Sequence, residues 1–378
     1  MREIKLRRIF EPIKVGSIVL KNRMVMAPVV VNAANVDGTV SDKMLRYYQK
    51  RARGFGLVIV ESTNMKPGGE ITTHQLQIFD DRFVDGLQKL SQAIQSAGTR
   101  GIIQINHGGA KCIPTYPGQT FVSASDVPIT HGQIPRSMSI PEIRELVRGF
   151  GDAAERAIKA GFDGVEIQGC HFYLLSQFLS PYSNKREDEY GRNIRGRTRF
   201  LQEVAQEIRA RIGAEHILSC RINGIEEIEN GLTTQAIKQI AEILEASGVD
   251  TLNISGVKRG IDVTYEGKAF KRLVSFLTEE DPPGYFVPFG FEIKKAVNIP
   301  VMVVGKIFDP YMAERILQEE KADMIAFGRQ IIANAGFAQM IIEGRIDDIR
   351  ECNECFVCLN TLLEGKPIEC PVNPDLWT

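Results

Sequence analysis

Short runs of aliphatic and β-branched residues alternate with longer stretches of helical periodicity along most of the chain. The runs are Arg23–Pro28, Leu57–Ser62, Gly101–His107, Gly164–Gly169, Ile217–Ile222, Thr251–Ser255, Val301–Lys306 and Met324–Arg329. Each begins apolar and turns polar toward its C-terminal end, as in LVIVES, GIIQINH, GVEIQG and ILSCRI. Strands behave this way when a barrel displays its chemistry on that face.

The segments between them carry helix signals. Ser41 and Asp42 cap a helix through Arg53, Asp81 opens one through Ala97, Pro141 sits in the first turn of one ending near Ala160, and Arg195–Ile212 has apolar residues at helical spacing. Eight strands in strict alternation with helices predict the α/β class and a (β/α)8 TIM barrel. Two connections, Lys111–Ser139 after the third strand and Gly256–Pro288 after the sixth, are too long for turns and are expected to build the substrate pocket. From about Gly344 the rhythm stops. The reading is therefore a barrel over residues 1–343 and a cysteine-rich extension over 344–378.

Composition narrows this picture without redirecting it. With 43% hydrophobic and 25% charged residues and a formal net charge of -1, the chain has material for a large core and no bias toward nucleic acid or anionic membranes. The basic N-terminus lacks an apolar signal region, and no stretch approaches a membrane span. Seven cysteines fit a reducing compartment better than a disulfide framework, which places the protein in the cytoplasm.

Four of those cysteines change the picture most. Cys352, Cys355 and Cys358 are spaced C-x2-C-x2-C, with Cys370 followed by Pro371. That pattern suits a soft metal or cluster held by thiolates; structural zinc is the rival, but zinc usually pairs one C-x2-C with a second or with histidine. Cys170 and Cys220 read as packing thiols and Cys112 as a loop thiol without a role.

Gly305-Lys306 and Gly328-Arg329, ending the last two strands, offer close backbone N–H groups and a cation to a phosphate; ordinary strand-ending turns are the plainer reading. No G-x-G-x-x-G follows a strand. Glu61, Gln104, His107, Gln168, Arg221 and Asn253 end other strands on the same face. A flavin needs a donor and an acceptor along its pyrimidine edge and a positive charge beside it, which Gln104 and Arg221 would suit. His171 and Tyr173, just after the fourth strand, can serve as hydrogen-bond donor to a carbonyl and as proton source.

At these residues the sequence resembles the Old Yellow Enzyme family of FMN-dependent ene-reductases. The likeness runs in order through IFEPIKVG, LKNRMVMAP, YYQKRARGFGLVIVES, QINHGG, GFDGVEIQGCHFYLLSQFLSPYSNKREDEYG, RTRFLQEV and IAFGR. The cysteine tail resembles that family's iron–sulfur branch, typified by 2,4-dienoyl-CoA reductase and trimethylamine dehydrogenase. The resemblance implies FMN held by backbone at Ala27, Pro28 and Val29, by Gln104 and Arg221, and by Gly305, Lys306, Gly328 and Arg329. It implies a catalytic set of Tyr173, His171 and Gln168, and a [4Fe-4S] cluster on Cys352, Cys355, Cys358 and Cys370.

Three departures stand out. Gln168 replaces the usual histidine, Val30 replaces a Thr or Cys that tunes the flavin, and Lys306 replaces an arginine. The chain also stops at Thr378, where large members of the branch continue into nucleotide-binding domains. Electrons are then expected from NADH or NADPH over the flavin, or from a separate donor protein through the cluster.

The activity implied is hydride transfer from reduced flavin to the activated C=C bond of an enone or enoyl thioester. Amine (C–N) oxidation and an electron-transfer subunit of a larger flavoprotein complex are the alternatives. A homo-oligomer is left open.

Overall fold

The computed structural model describes residues 5–129, 134–265 and 268–378. Parts of both long loops, residues 130–133 and 266–267, lie outside the described residues, as do residues 1–4.

Eight parallel strands close into a barrel: β1 (Met24–Met26), β2 (Leu57–Asn64), β3 (Arg100–Asn106), β4 (Gly164–Gly169), β5 (Ile217–Glu226), β6 (Thr251–Val257), β7 (Val301–Val303) and β8 (Met324–Phe327). They neighbour one another in sequence order, and β8 returns to β1 through Ile325↔Met24 and Ala326↔Val25. The predicted (β/α)8 barrel is therefore the fold.

Why these strands form follows from their alternation. One parity of side chains, including Val58, Ile103, Val165, Leu218, Leu252 and Ile325, faces the helices in the main core. The other parity faces the barrel axis and changes character along the strand. Near the start it supplies Leu57, Ile59, Ile102, Ile217, Met302 and Met324 to a separate apolar cluster. Two and four residues further on it supplies Gln104, Glu166, Gln168, Ser219, Arg221, Asn253 and Ser255, all buried.

The apolar end is plugged by a hairpin, Ile13–Val15 with Ile18–Leu20, whose Val15 and Leu20 are fully buried in that cluster. A two-stranded hairpin is marginal alone, whereas each such burial contributes roughly 1.5–3 kcal/mol, so packing holds the plug.

Helices follow the predicted signals closely. Asp42–Ala52 is capped by Ser41, and Ile140–Lys159 begins with a capping box between Ser139 and Glu142, then buries Ile143, Leu146, Phe150, Ala153 and Ala157 at helical spacing. The helix expected from Asp81 opens as a 3-10 turn, Asp81–Phe83, and continues as Val84–Gln95.

The strand ends differ more. β5 and β6 run past the expected ends to Glu226 and Val257, while β7 and β8 stop early. At β7 the cause is backbone: Gly305 at φ +123° and Lys306 at φ +54° cannot continue a strand. At β8, Arg329 opens a short helix, Arg329–Ala333. The second long loop contains an antiparallel hairpin, Arg259–Tyr265 with Lys268–Val274.

The extension after Gly344 carries one helix, Val357–Leu363, and returns to the barrel. Ile368 and Leu376 join the main core, Trp377 lies against Tyr47 at 5.7 Å, and the Ile368 N–H donates to Val31 O. Among the described residues no helix is long and apolar enough to cross a membrane.

Candidate active site

The polar ends of the strands open into a cavity of about 310 Å³, walled by the chain after β1 (Pro28, Val29, Val30), the loop after β4, the turns after β7 and β8, and the extension through Phe356, Cys358 and Leu359. Among the described residues no acidic side chain lines it.

The structure brings together most of the predicted residues. Gln104, Gln168, His171, Tyr173, Arg221, Gly305, Lys306, Gly328 and Arg329 all line the cavity. Ala27 lies just below, its N–H donating to Phe327 O, and Pro28 and Val29 form the wall. Three strand-end residues do not reach the cavity.

Asn253 is fully buried and serves Glu166. His107 Nδ1 accepts from Gly109 N–H, and burial pushes the imidazole down to about 4. Glu61 lies beneath the β1 segment, accepting from Val31 N–H and Tyr48 O–H at 3.3 Å each, and burial raises its carboxyl to about 8.

Glu166 is the member that sequence reasoning missed. It accepts from Gln104 Nε2 at 2.7 Å, Ser219 Oγ at 2.9 Å and Asn253 Nδ2 at 3.0 Å, fixing three strands at one level. Its signal was parity, since it stands two residues before Gln168 on the same inward face. Arg221 lies beside it, with Nε buried and unpartnered and Nη2 donating to Ser255 Oγ at 3.5 Å.

The β4 loop is strained. His171 and Phe172 are consecutive left-handed non-glycine residues, at φ +62° and +56°, an arrangement costing on the order of 1–2 kcal/mol each. Two side chains hold it: Asn223 Oδ1 accepts from His171 N–H, and Ser176 Oγ from Phe172 N–H.

His171 Nε2 sits 2.7 Å from Ser255 Oγ. The Ser255 hydroxyl thus bridges Arg221 and the imidazole. Desolvation, then Arg221 and Lys111, hold His171 well below its ordinary range, so it is a neutral donor. Desolvation raises the Tyr173 phenol, keeping its proton in place. Gln168 Oε1 accepts from the Cys170 thiol, itself raised to about 12 by burial; Cys170, Cys220 and Cys112 are all buried.

At the opposite wall, the backbone N–H groups of Gly305, Lys306, Gly328 and Arg329 have no acceptor among the described residues. The Lys306 ammonium is already committed, donating to the carbonyls of Thr278, Glu279 and Asp281 and pairing with Glu354 at 2.9 Å. The left-handed turn at Lys306 directs it there. Arg329 pairs with the other oxygen of Glu354 at 3.2 Å and keeps a buried, unpartnered Nη1. The unfilled N–H groups and this nitrogen fit a phosphate.

Glu354 lies between Cys352 and Cys355. The four cysteines of the extension are mutual neighbours: burial first, then Cys352, with further repulsion from Cys370 and Cys355, raises Cys358 to about 11, against the nearby Arg329. Among the described residues no three His, Cys, Asp or Glu side chains close round a single metal ion.

Against this geometry, the model of the NADH:flavin oxidoreductase / NADH oxidase family matches residues 8–348. The chain belongs to that family. It is 38% identical over 373 residues to the NADH oxidase of Thermoanaerobacter brockii, covering 97% of this chain and 56% of that one. It is 34% identical over 333 residues to an NADPH dehydrogenase of Clostridium acetobutylicum, covering 87% and 93%.

Among solved structures, 2-naphthoyl-CoA reductase with 2-naphthoyl-CoA is similar at a TM-score of 0.88 and 28% identity, covering 98% of this chain and 58% of that one. Histamine dehydrogenase from Rhizobium sp. 4-9 is similar at 0.84 and 26%, covering 98% and 52%. The chain thus spans about half the length of several of these relatives. The family's chemistry is FMN-dependent oxidoreduction with NADH or NADPH, and this chain carries the family's barrel.

Proposed function

We propose that this chain reduces an activated C=C bond of an enone or enoyl thioester. The observation that carries the reading is the convergence, in one cavity with no acidic lining among the described residues, of Tyr173, a neutral His171, and the backbone N–H groups of Gly305, Lys306, Gly328 and Arg329 without acceptors. Gln104 and Arg221 would hold the pyrimidine end of FMN, Ala27, Pro28 and Val29 its ring, and the turns at Gly305, Lys306, Gly328 and Arg329 its phosphate. FMN, when bound, supplies the hydride.

His171 and Gln168 donate to the activating carbonyl and withdraw charge as it builds in the transition state. Tyr173 delivers the proton to the α-carbon, its raised affinity keeping the phenol loaded until a carbanion develops. Arg221 holds Ser255, which holds His171, so the donor is pre-oriented.

The four cysteines of residues 344–378 fit a [4Fe-4S] cluster better than zinc. Their C-x2-C-x2-C run with a distant Cys-Pro is the cluster-like pattern, whereas zinc usually pairs one C-x2-C with a second or with histidine. A cluster held by Cys352, Cys355, Cys358 and Cys370 would supply single electrons from a separate donor protein, with NADH or NADPH over the flavin as the other source. Amine oxidation has less support: among the described residues the cavity lining has Arg221, Lys306 and Arg329 and no carboxylate.

Anaerobically purified protein should contain FMN with about four iron and about four sulfide per chain. Its reduced flavin should be reoxidised by cyclohex-2-enone. Zinc without sulfide would overturn the cluster assignment, and reoxidation by a flavoprotein partner but by no enone would favour an electron-transfer subunit.

A further inference from the structure

Beyond Tyr173 the cavity continues into a second chamber of about 310 Å³. The two share Val30, Tyr173, Ser275, Phe276, Leu359 and Leu362, so the tyrosine stands in the partition. The second chamber is largely apolar, with walls such as Ile71, Ile113 and Val274, and among the described residues no acidic side chain lines it. It holds two cations, Lys111 from the loop after β3 and Arg272 from the hairpin after β6.

Neither cation has a carboxylate partner among the described residues. Lys111 Nζ donates to His171 O at 3.0 Å and lies 5.1 Å from the centre of the Tyr173 ring. Arg272 is exposed and Lys111 half-buried, and a partly desolvated cation at an apolar chamber gains from an anion that joins it.

We infer that this chamber binds the anionic end of the substrate, a carboxylate or phosphate carried on an apolar body, with Lys111 and Arg272 as its counter-charges. The reducible bond then lies on the flavin side of Tyr173, and that placement rests on the function proposed above. Lys111, desolvated and repelled by Arg272, is lowered to about 8, and an arriving anion relieves both effects.

The test is calorimetric, on FMN-loaded oxidised protein with unreactive ligands, and needs no turnover. Native protein should bind 4-phenylbutyrate at least about tenfold more tightly than its methyl ester, the range of a charge-assisted hydrogen bond. Arg272→Gln and Lys111→Met should each weaken the acid by about five- to twentyfold and leave the ester within about twofold. Coenzyme A against dephospho-coenzyme A forms the second arm.

Loss of affinity in the variants for either anion supports the subsite, and the arm that responds identifies carboxylate or phosphate. If acid and ester bind alike, as do the two coenzyme forms, or if both preferences survive both substitutions, the inference is wrong. FMN absorbance and retained ester binding report that each variant is folded. Failure of enones to reoxidise the flavin would instead sink the proposed reaction and leave this result standing.

Discussion

The wall formed after β7 and β8 and the walls formed by the β3, β4 and β6 loops are both cationic, yet they dispose of charge differently. At the first, Lys306 and Arg329 share the carboxylate of Glu354. At the second, Lys111 and Arg272 line a chamber with no acidic side chain among the described residues. An anion reaching the first wall shares Arg329 with a carboxylate, whereas one reaching the second meets two cations without that competitor. Charge at the first wall is balanced within the chain, and at the second it is not.

Tyr173 stands between the two walls, and its removal should have the largest effect. Tyr173→Phe should slow reoxidation of reduced flavin by an enone about 10²–10⁴-fold in stopped flow, with FMN content unchanged. A normal rate would show that the proton comes from elsewhere.

The first wall is tested by Arg329→Ala, which should weaken FMN about 10–100-fold in a fluorescence titration of apoprotein. The sharper test has the opposite sign. Glu354→Gln removes the carboxylate that competes with the phosphate and should tighten FMN by about fivefold, within the worth of a partly exposed ion pair. Weaker binding in that variant would erase the contrast between the walls.

Glu61 disposes of charge in a third way, by keeping its proton. It is fully buried, with Oε2 accepting twice and Oε1 without a partner. With the folded value raised from 4.5 to about 8, the native state holds a proton that the unfolded chain has released. Stability should therefore fall as pH rises between those values. Glu61→Gln should flatten that slope, by about 1 kcal/mol per pH unit, in urea denaturation at pH 5.5 and 7.5.

Much of this was legible because it is local. Strand count, the polar turn at each strand end, His171 and Tyr173 after β4, and the C-x2-C-x2-C run depend on spacing within a few residues. What escaped depends on distant pairing. Glu354 looked like a spacer between cysteines, and only the fold carries it to Lys306 and Arg329. Glu166 sat inside an apolar run where a buried acid has no local explanation, its partners lying on three other strands. Arg272 belongs to a hairpin hidden in a loop rich in turn residues, and β7 ended early for a backbone reason that Gly305 hinted at and Lys306 concealed.

The bond from Ile368 N–H to Val31 O has a companion, Asn32 Nδ2 to Lys366 O, linking positions 334 residues apart. The segment that walls the cavity after β1 is therefore gripped by chain more than 300 residues later in the sequence. Such long-range closure is slow compared with local helix and strand formation. The rim of the cavity should accordingly be among the last parts of the barrel to order when the protein refolds.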